Sequence, residues 1–306
     1  MSAADADFNG RWVIEPHDRS LTNGRVAWLE IRGAGTGSVE GSAVGLAPGG
    51  QLDTISSPRI LHGELTFAID GSRPAPGGGR RAVRTPTSVR LMAGQLHGVT
   101  EREAGRIEWI GRPAPVIDEH DDGSWKPAEP VTLFDGKQED LERWQTLRPE
   151  RLATDWQVVD GLLVNAKGAD LLLTKQEFWN FDLHVEFRLG EGSNSGVALR
   201  NRYEVQIVDD YGKPADSHGN GALYSRIAPS KNASRKPGEW QTYDIRLVGR
   251  DLTVVLNGEK VLDKVTAEGI TAMAADWRES EPGPLVLQGD HGRVEFRKIV
   301  LTPLTR

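Results

Sequence analysis

The stretch Phe181–Leu189 alternates apolar and polar side chains without a break, and this pattern constrains the fold more than any other feature of the chain. The apolar set holds every second position: Phe181, Leu183, Val185, Phe187 and Leu189. A period of two places successive side chains on opposite faces of a β-strand. The stretch therefore predicts a strand in a sheet that has one buried face and one more solvated face.

Turn signals around this strand indicate further antiparallel pairs. Asp160-Gly161 and Asn257-Gly258 each separate two β-rich runs, and both dipeptides favour two-residue hairpins. In the last strand the apolar residues change parity, which predicts a bulge near Arg297-Lys298. A short stretch, Ala272–Trp277, is the only helix we expect. Many strands with almost no helix predict an all-β fold whose C-terminal part is a jelly-roll β-sandwich.

The N-terminal third predicts a smaller antiparallel β domain, either a barrel or a sandwich. Short β-rich runs follow one another closely there, among them Val26–Ile31 and Glu64–Ile69. Residues 113–130 contain four prolines and the acidic run Asp118–Asp122, which is typical of a linker. We therefore expect an N-terminal domain over 1–112, a linker over 113–130 and a jelly-roll domain over 131–306.

Composition excludes several classes of function. The formal net charge is −7 and no dense Lys/Arg patch occurs, which argues against a nucleic-acid partner. No apolar run approaches the ~18 residues that span a membrane, and Met1–Asp7 lacks the charged and apolar segments of a signal peptide. The absence of cysteine excludes thiol catalysis and thiolate metal sites. Without a dinucleotide fingerprint, no nicotinamide or flavin cofactor is expected.

The most unusual stretch for chemistry is Arg200–Asp209. Arg200, Glu204 and Gln206 share one parity if the strand is unbroken, so they would lie on one face. Such a face is either solvated or engaged with a ligand, because buried polar groups need partners. The turn Gly192–Gly196 before it and the long polar loop Tyr211–Gly221 after it favour a ligand.

A second cluster is Asp290-His291, which lies between glycines after the apolar run Leu285–Leu287. Imidazole titrates near neutrality and can move protons, and a neighbouring Asp can hold the ring near a substrate. An Asx-type turn with an exposed His is the alternative interpretation. We expect His291 to meet Arg200, Glu204 and Gln206 on one concave sheet face.

The order of these motifs resembles a known family. Over about Val131–Leu304 the chain shows, in order, VTLFDG, GSNSGVALR, YEVQIVDD, GALY, NAS, GEWQTYD, LNG and LQGDHG. These motifs are similar to those of the 3-keto-disaccharide hydrolase domain family. The resemblance implies a concanavalin-like jelly roll, action on 3-keto-glycosides, a separate oxidoreductase that makes the 3-keto sugar, and a periplasmic or secreted location.

The family's polar positions correspond here to Arg200, Glu204, Gln206, Asp209, Asp290 and His291. We expect His291 or Glu204 as the base, the other to assist the leaving group, and Asp290 to support His291. The expected substrate-binding residues are Arg200, Gln206, Asp209, Asn194, Tyr224, Trp240 and Gln288. Tyr224 and Trp240 could stack on the sugar, although Trp240 could equally pack in the core. A divalent metal on Glu204, Gln206 and His291 is left open.

The expected reaction begins at the ketone. A ketone at C3 makes the C2 hydrogen acidic, so that a base removes it, the C1 substituent leaves and water then adds. Two other classes stay open. One is an ordinary glycosidase that uses Glu204 and Asp209 as its carboxylate pair. The other is a non-catalytic carbohydrate-binding jelly roll, because one fold hosts both kinds of protein.

Overall fold

The computed structural model describes residues 3–74 and 80–306, which form two compact units. Unit 1 comprises the described residues up to Val116 together with Gly269–Glu279, and unit 2 comprises Ile117–Glu268 and Ser280–Arg306. The segment Gly269–Glu279, which we expected in the C-terminal domain, thus belongs with the N-terminal one. It is irregular, so the predicted helix Ala272–Trp277 is wrong.

Unit 1 is a closed antiparallel barrel of eight strands. The strands are β1 (Gly10–Pro16), β2 (Ala27–Arg32), β3 (Glu40–Val44), β4 (Leu52–Leu61), β5 (Glu64–Pro74), β6 (Arg80–Met92), β7 (Gln95–Arg102) and β8 (Gly105–Pro113). The short helix α1 (Ala3–Ala6) precedes them, and a 3₁₀ turn, Arg19–Thr22, follows β1. The strand β1 pairs with both β2 and β8, which closes the barrel.

The barrel is filled by apolar side chains. A Cβ atom added to Gly98 would stand 2.1 Å from the Trp109 ring, so the glycine makes room for this buried indole. The segment Gly269–Glu279 is held beside the barrel by its own apolar cluster, since Ile270 and Ala274 are buried with Trp28. Residues 75–79, between β5 and β6, lie outside the described part of the chain.

Unit 2 is a jelly-roll sandwich of a nine-stranded and a five-stranded sheet. The larger sheet contains β9 (Lys126–Pro127), β10 (Val131–Phe134), β12 (Trp156–Val159), β13 (Leu162–Asn165), β15 (Phe181–Leu189), β18 (Gln241–Val248), β19 (Asp251–Leu256), β20 (Glu259–Thr266) and β22 (Val294–Thr305). The smaller sheet contains β11 (Trp144–Thr146), β14 (Leu172–Phe178), β21 (Gly283–Leu287), β16 (Asn194–Leu199) and β17 (Tyr203–Val208), in that spatial order.

Three helical turns interrupt the strands of unit 2. They are the 3₁₀ turns Gln138–Arg143 and Pro149–Arg151 and the helix α2 (Leu152–Asp155). Among residues 3–74 and 80–306, no helix is long and apolar enough to cross a membrane. The fold is therefore all-β, with a jelly roll of the concanavalin type preceded by a smaller antiparallel domain, as the sequence predicts.

The predictions for strand β15, for two hairpin turns and for the bulge in the last strand are confirmed. Strand β15 buries every second residue, and this buried set lies in the core between the two sheets. Asp160-Gly161 and Asn257-Gly258 form the turns of two hairpins, with positive φ at all four residues. The pairing of β15 with β22 passes from Glu186–Lys298 to Phe187–Phe296, so Arg297 is the bulged residue.

The acidic stretch that we predicted as a linker is packed against unit 2 from Ile117 onward. The Glu119 carboxylate accepts hydrogen bonds of 2.7 Å from both the Trp179 indole and the Asn180 amide. Asp121 is nearly buried and pairs with Arg246 at 3.1 Å. Because these carboxylates have fixed cationic and N–H partners, the acidic run is part of the sandwich rather than a solvated tether.

Candidate functional site

The outer face of the five-stranded sheet carries an unusual set of polar side chains. Its neighbouring strands β21, β16 and β17 send Leu287, Val197 and Val205 into the core. Because side chains alternate along a strand, the residues beside them face outward. Gly196 is the partner of Gln206, and the Gln288 N–H donates to the Gly196 carbonyl at 3.0 Å. Gln206, Gly196 and Gln288 therefore form one row across three strands.

Glu204, two residues before Gln206, leans toward this row. A Cβ atom added to Gly196 would stand 2.5 Å from Glu204 Oε1, so the carboxylate lies over the glycine, which is the middle residue of the row. The exposed fractions are 3% for Glu204, 2% for Gln206 and 8% for Gln288. We call Glu204, Gln206 and Gln288 the polar row.

Two acceptors of the polar row are not satisfied by protein. In the described part of the chain, neither Gln206 Oε1 nor Gln288 Oε1 has a hydrogen-bond partner, although both atoms are buried. Buried polar atoms nearly always have a partner, and exceptions call for a water, an ion or a ligand. Amide oxygens can accept hydrogen bonds from hydroxyl groups or coordinate a cation, so these two atoms are candidate ligand contacts.

Asp290 and His291 lie at the end of the same sheet. The Asp290 Oδ1 atom is 2.6 Å from Nδ1 of His291, and the exposed fractions of the two side chains are 39% and 55%. Their loop is clamped by buried Asn165, whose Nδ2 donates to the carbonyls of Gly289 and Gly292, both at 2.7 Å. Asn165 Oδ1 also accepts the Val294 N–H at 2.8 Å. The imidazole thus stands on a fixed, solvent-accessible loop at the end of the sheet. We call Asp290 and His291 the rim.

Two other predicted residues lie near this rim. A Cβ atom added to Gly292 would stand 2.9 Å from the Asn194 nitrogen, so the His291 loop packs on the start of β16. Asp209 follows β17, and its Oδ2 accepts the Gly192 N–H at 2.9 Å. Asp209 therefore caps the hairpin backbone, while Asn194 lies beside the Asp290–His291 loop.

Arg200 does not belong to this face, and its assignment to substrate binding is wrong. The strand β17 begins only at Tyr203, because Arg200 and Asn201 form a turn with φ of 54° and 58°. The fully buried guanidinium donates to the Trp179 and Gly249 carbonyls at 2.6 and 2.9 Å. Burial lowers the pKa of Arg200 to about 9. These hydrogen bonds of Arg200 hold the turn that connects β16 and β17, at the end of the hairpin away from His291.

The two aromatic candidates, Trp240 and Tyr224, lie in different parts of the sandwich. Trp240 precedes β18 of the other sheet, and its ring centroid lies 4.8 and 4.5 Å from the guanidinium carbons of Arg188 and Arg297. It therefore neither packs in the core nor shares a face with Glu204, so its predicted place beside the site is wrong. Tyr224 does lie there: its N–H donates to the Glu204 carbonyl at 3.0 Å, directly across from that residue.

His218 is a residue that the sequence analysis does not single out, although it lies in the polar loop Tyr211–Gly221. Its ring meets the Tyr224 ring edge to face, with centroids 5.1 Å apart and an interplanar angle of 89°. The available signal was the Asp216-Ser217-His218 run, which places a carboxylate two residues from an imidazole. A sequence pattern could not show that this loop folds back onto Tyr224.

The three candidate metal ligands, Glu204, Gln206 and His291, do not form one cluster of charged donors. Within residues 3–74 and 80–306, no three His, Cys, Asp or Glu side chains gather as a metal site would require. His291 stands on the rim, whereas Glu204 and Gln206 lie in the polar row. One carboxylate and two amide oxygens are nevertheless the kind of donors that hard cations prefer.

Two clefts of unit 2 lie away from the polar row. One of about 340 Å³ runs over the outer face of the nine-stranded sheet beside His184 and Asp244. Another, of about 900 Å³, is lined by Trp156, Lys175 and Glu142 among others. The chemistry of the polar row and the rim, rather than cavity size, singles out the site.

Three comparisons place this sandwich among known proteins. Residues 129–302, more than half of the chain, match the family model described as a 3-keto-alpha-glucoside-1,2-lyase-like domain. A curated relative from Bacteroides thetaiotaomicron, named 3-keto-disaccharide hydrolase, is 25% identical over 170 residues, covering 44% of this chain and 57% of the relative. The chain thus spans less than two thirds of that relative. A crystal structure of a proposed glycosyl hydrolase from Parabacteroides distasonis has a TM-score of 0.50 and 28% identity, covering 62% of this chain and 91% of that one.

Proposed function

Because the chain belongs to the family of 3-keto-alpha-glucoside-1,2-lyase-like domains, we propose that unit 2 cleaves 3-keto-glycosides. In this reaction a base removes the C2 proton, the C1 substituent is eliminated, and water adds to the resulting enone. The observation that carries the proposal is the polar row. The buried Glu204 carboxylate lies over Gly196, whose neighbours across the sheet are Gln206 and Gln288, and the amide oxygens of those two residues are buried without a hydrogen-bond partner in the described part of the chain. The exposed Asp290–His291 pair at the end of the same sheet supports it.

His291 is the base that the geometry favours. It is the more exposed of the two candidates, and a carboxylate on Nδ1 fixes the tautomer in which Nε2 accepts a proton. Glu204 is the alternative base, and its carboxylate is otherwise placed to accept a hydrogen bond from a sugar hydroxyl. Gln206 and Gln288 would accept further hydroxyl donors, which orients the ring so that C2 faces the base.

Negative charge develops on the C3 oxygen as the C2 proton leaves, and this charge needs stabilisation. Arg200 cannot supply it, since its guanidinium is buried against backbone carbonyls at the far end of the hairpin. A divalent cation bound to the oxygens of the polar row would supply a positive charge at this point. Exhaustive chelation followed by metal analysis and by assay tests this role.

A two-carboxylate glycosidase is a weaker candidate. Glu204 and Asp209 are five residues apart along an extended strand, or roughly 16 Å between Cα atoms. The Asp209 carboxylate also accepts a hydrogen bond from the Gly192 N–H. Carboxylate pairs in glycosidases stand about 5–9.5 Å apart. The long backbone separation and the hydrogen bond of Asp209 to the hairpin backbone both count against such a pair here.

The deciding experiment compares a 4-nitrophenyl glucoside with its 3-keto form. Release of nitrophenol from the keto form alone supports the proposal. Release from both forms supports a glycosidase, and binding without release supports a carbohydrate-binding module. Because the proposed substrate is an oxidised sugar, a separate oxidoreductase must form it, and we propose a periplasmic or secreted location from the family resemblance.

A further inference from the structure

His218 shares a sheet face with Glu204. The loop residue Leu223 forms an antiparallel bridge with Val205, which places Tyr224 directly opposite Glu204. Residues that are opposite in an antiparallel pair direct their side chains to the same face. The Tyr224 side chain therefore stands on the Glu204 side of the sheet, and the His218 ring packs edge-on against it at 5.1 Å.

The loop that carries His218 is fixed by hydrogen bonds at several points. The Asn220 N–H donates to the Asp210 carboxylate at 2.9 Å, and the Ser225 N–H donates to the Ser217 carbonyl at 2.7 Å. The His218 N–H donates to the Asp216 carboxylate at 2.6 Å. These hydrogen bonds fix the backbone from which the His218 side chain projects, and acid–base catalysis requires a positioned group.

The imidazole presents one nitrogen to the protein and one to solvent. Nδ1 lies 3.4 Å from the Ser217 hydroxyl and 3.9 Å from the Asp216 carboxylate. Nε2 has no partner within the described residues 3–74 and 80–306, and 44% of the side chain is exposed. Asp216 and His218 thus resemble the Asp290–His291 pair, with a carboxylate on the Nδ1 side and Nε2 available to a substrate.

We propose that His218 is the acid that protonates the departing oxygen at C1. This proposal rests on the proposed function of unit 2. The base takes the proton from C2, and the electrons of that C–H bond pass into the C2–C3 bond and onto the C3 oxygen as an enolate. The enolate then re-forms the ketone and a C1–C2 double bond, and it breaks the bond from C1 to the leaving oxygen. His218 gives its Nε2 proton to that oxygen, so an enone and an alcohol are released.

The test compares two leaving groups. Methyl 3-keto-glucoside has a strongly basic leaving oxygen that needs an acid, whereas 4-nitrophenyl 3-keto-glucoside has a weakly basic one that does not. General acid catalysis contributes about 10²–10⁴-fold. We expect His218→Asn to slow methanol release by this factor and to slow nitrophenol release by less than about tenfold.

Deuterium exchange isolates the first step. In D₂O the variant still removes the C2 proton, so deuterium should enter C2 of unreacted methyl 3-keto-glucoside faster than in enzyme-free buffer. Equal losses for both leaving groups, or no loss for either, would overturn the role of His218. A wild-type protein that releases neither aglycone instead overturns the proposed function itself.

Controls separate chemistry from folding. His218→Gln is made alongside His218→Asn, and the melting temperature of each is compared with that of the wild type. His184→Asn serves as the matched control, because His184 lies on the nine-stranded sheet between Asp244 and Glu186. The ratio of its methanol-release rate to its nitrophenol-release rate should equal that of the wild type. A ratio that changes as much as in His218→Asn would contradict the assignment.

Discussion

The carboxylate of Glu204 lies over the bare Cα of Gly196, where an added Cβ would approach Oε1 to 2.5 Å. Gly196 lies in a regular strand, so alanine is compatible with its backbone and only the contact matters. We expect Gly196→Ala to leave the fold intact, because the end of the Glu204 side chain can move aside. The displaced carboxylate should lower the rate of release from 3-keto-glycosides. Combining it with Glu204→Gln in a double-mutant cycle should show strong non-additivity. Additive losses would mean that Gly196 acts independently of the carboxylate.

Glu204→Gln should reduce release from 3-keto-glycosides by about 10²–10⁴-fold, the range for losing a group that moves or directs a proton. The amide has the same shape, so the buried site should still fold, and a melting curve checks this. Glu177→Gln, on an exposed part of β14, is the matched control. Wild-type activity in Glu204→Gln would remove this residue from the site.

Asn165→Asp should loosen the loop that carries His291. The new carboxylate would face the carbonyls of Gly289 and Gly292, which now accept hydrogen bonds from Nδ2. We expect a loss of about 1–3 kcal/mol in the free energy of unfolding, as for buried groups left without partners, together with lower activity. Denaturant unfolding measures the former. The same amide-to-acid change at exposed Gln157 should be nearly neutral.

Tyr243→Phe should destabilise unit 2 without touching the rim. The buried hydroxyl lies 2.5 Å from the Gln206 carbonyl and 2.6 Å from Asn220 Oδ1, and burial raises the pKa of Tyr243 well above its usual value. Loss of this donor should cost about 1–3 kcal/mol. Tyr211→Phe, at an exposed position, is the control, and equal unfolding curves for the two variants would refute the hydrogen-bond argument.

Asp53 should make unit 1 less stable as the pH rises. Its strand partner Ala43 and its neighbour Ile55 lie in the barrel core, and burial raises the pKa of Asp53 to about 6. The unfolded value is about 3.9, so between pH 4 and 6 the folded state binds more protons than the unfolded state. Stability therefore falls through this window, and the penalty is complete above pH 6.

Asp53→Asn should remove that penalty. We expect its melting temperature at pH 7.5 to exceed the wild-type value by on the order of 2 °C, because solvent at this half-exposed site moderates the effect. The difference should vanish below about pH 4, where the acid is protonated in both states. Thermal melts across this range check the prediction, and a gain that grows on acidification would contradict it.

Local features of the fold were predictable because they depend on neighbours in the chain. The Asp160-Gly161 and Asn257-Gly258 turns and the Arg297 bulge each follow from a few adjacent residues. The place of Arg200 was not predictable, since the turn there has positive φ at two residues without a glycine to signal it. Alternation gave Glu204 and Gln206 one face correctly, as period two requires.

Non-local placement limited the prediction of the site. The sequence offered Trp240 as a sugar-stacking or a core residue, and alternation cannot tell which of two sheets a strand joins. The residue precedes β18 of the nine-stranded sheet and fits neither role. His218 reaches the Glu204 face only through the bridge between Leu223 and Val205, which no spacing in the sequence indicates. Side-chain chemistry identified candidate residues, but the pairing of distant strands decided which of them meet.

The return of Gly269–Glu279 to unit 1 has a consequence for biosynthesis. The Val26 N–H donates to the Ala274 carbonyl, and Trp28 is buried with Ile270. A nascent chain can emerge with all eight barrel strands while the apolar surface around Trp28 is still exposed to solvent. That surface is covered only after about 150 further residues have been translated. A chaperone that shields Trp28 during that interval would protect the molecule from aggregation, and a stop codon anywhere before Gly269 would leave the barrel permanently without its cover.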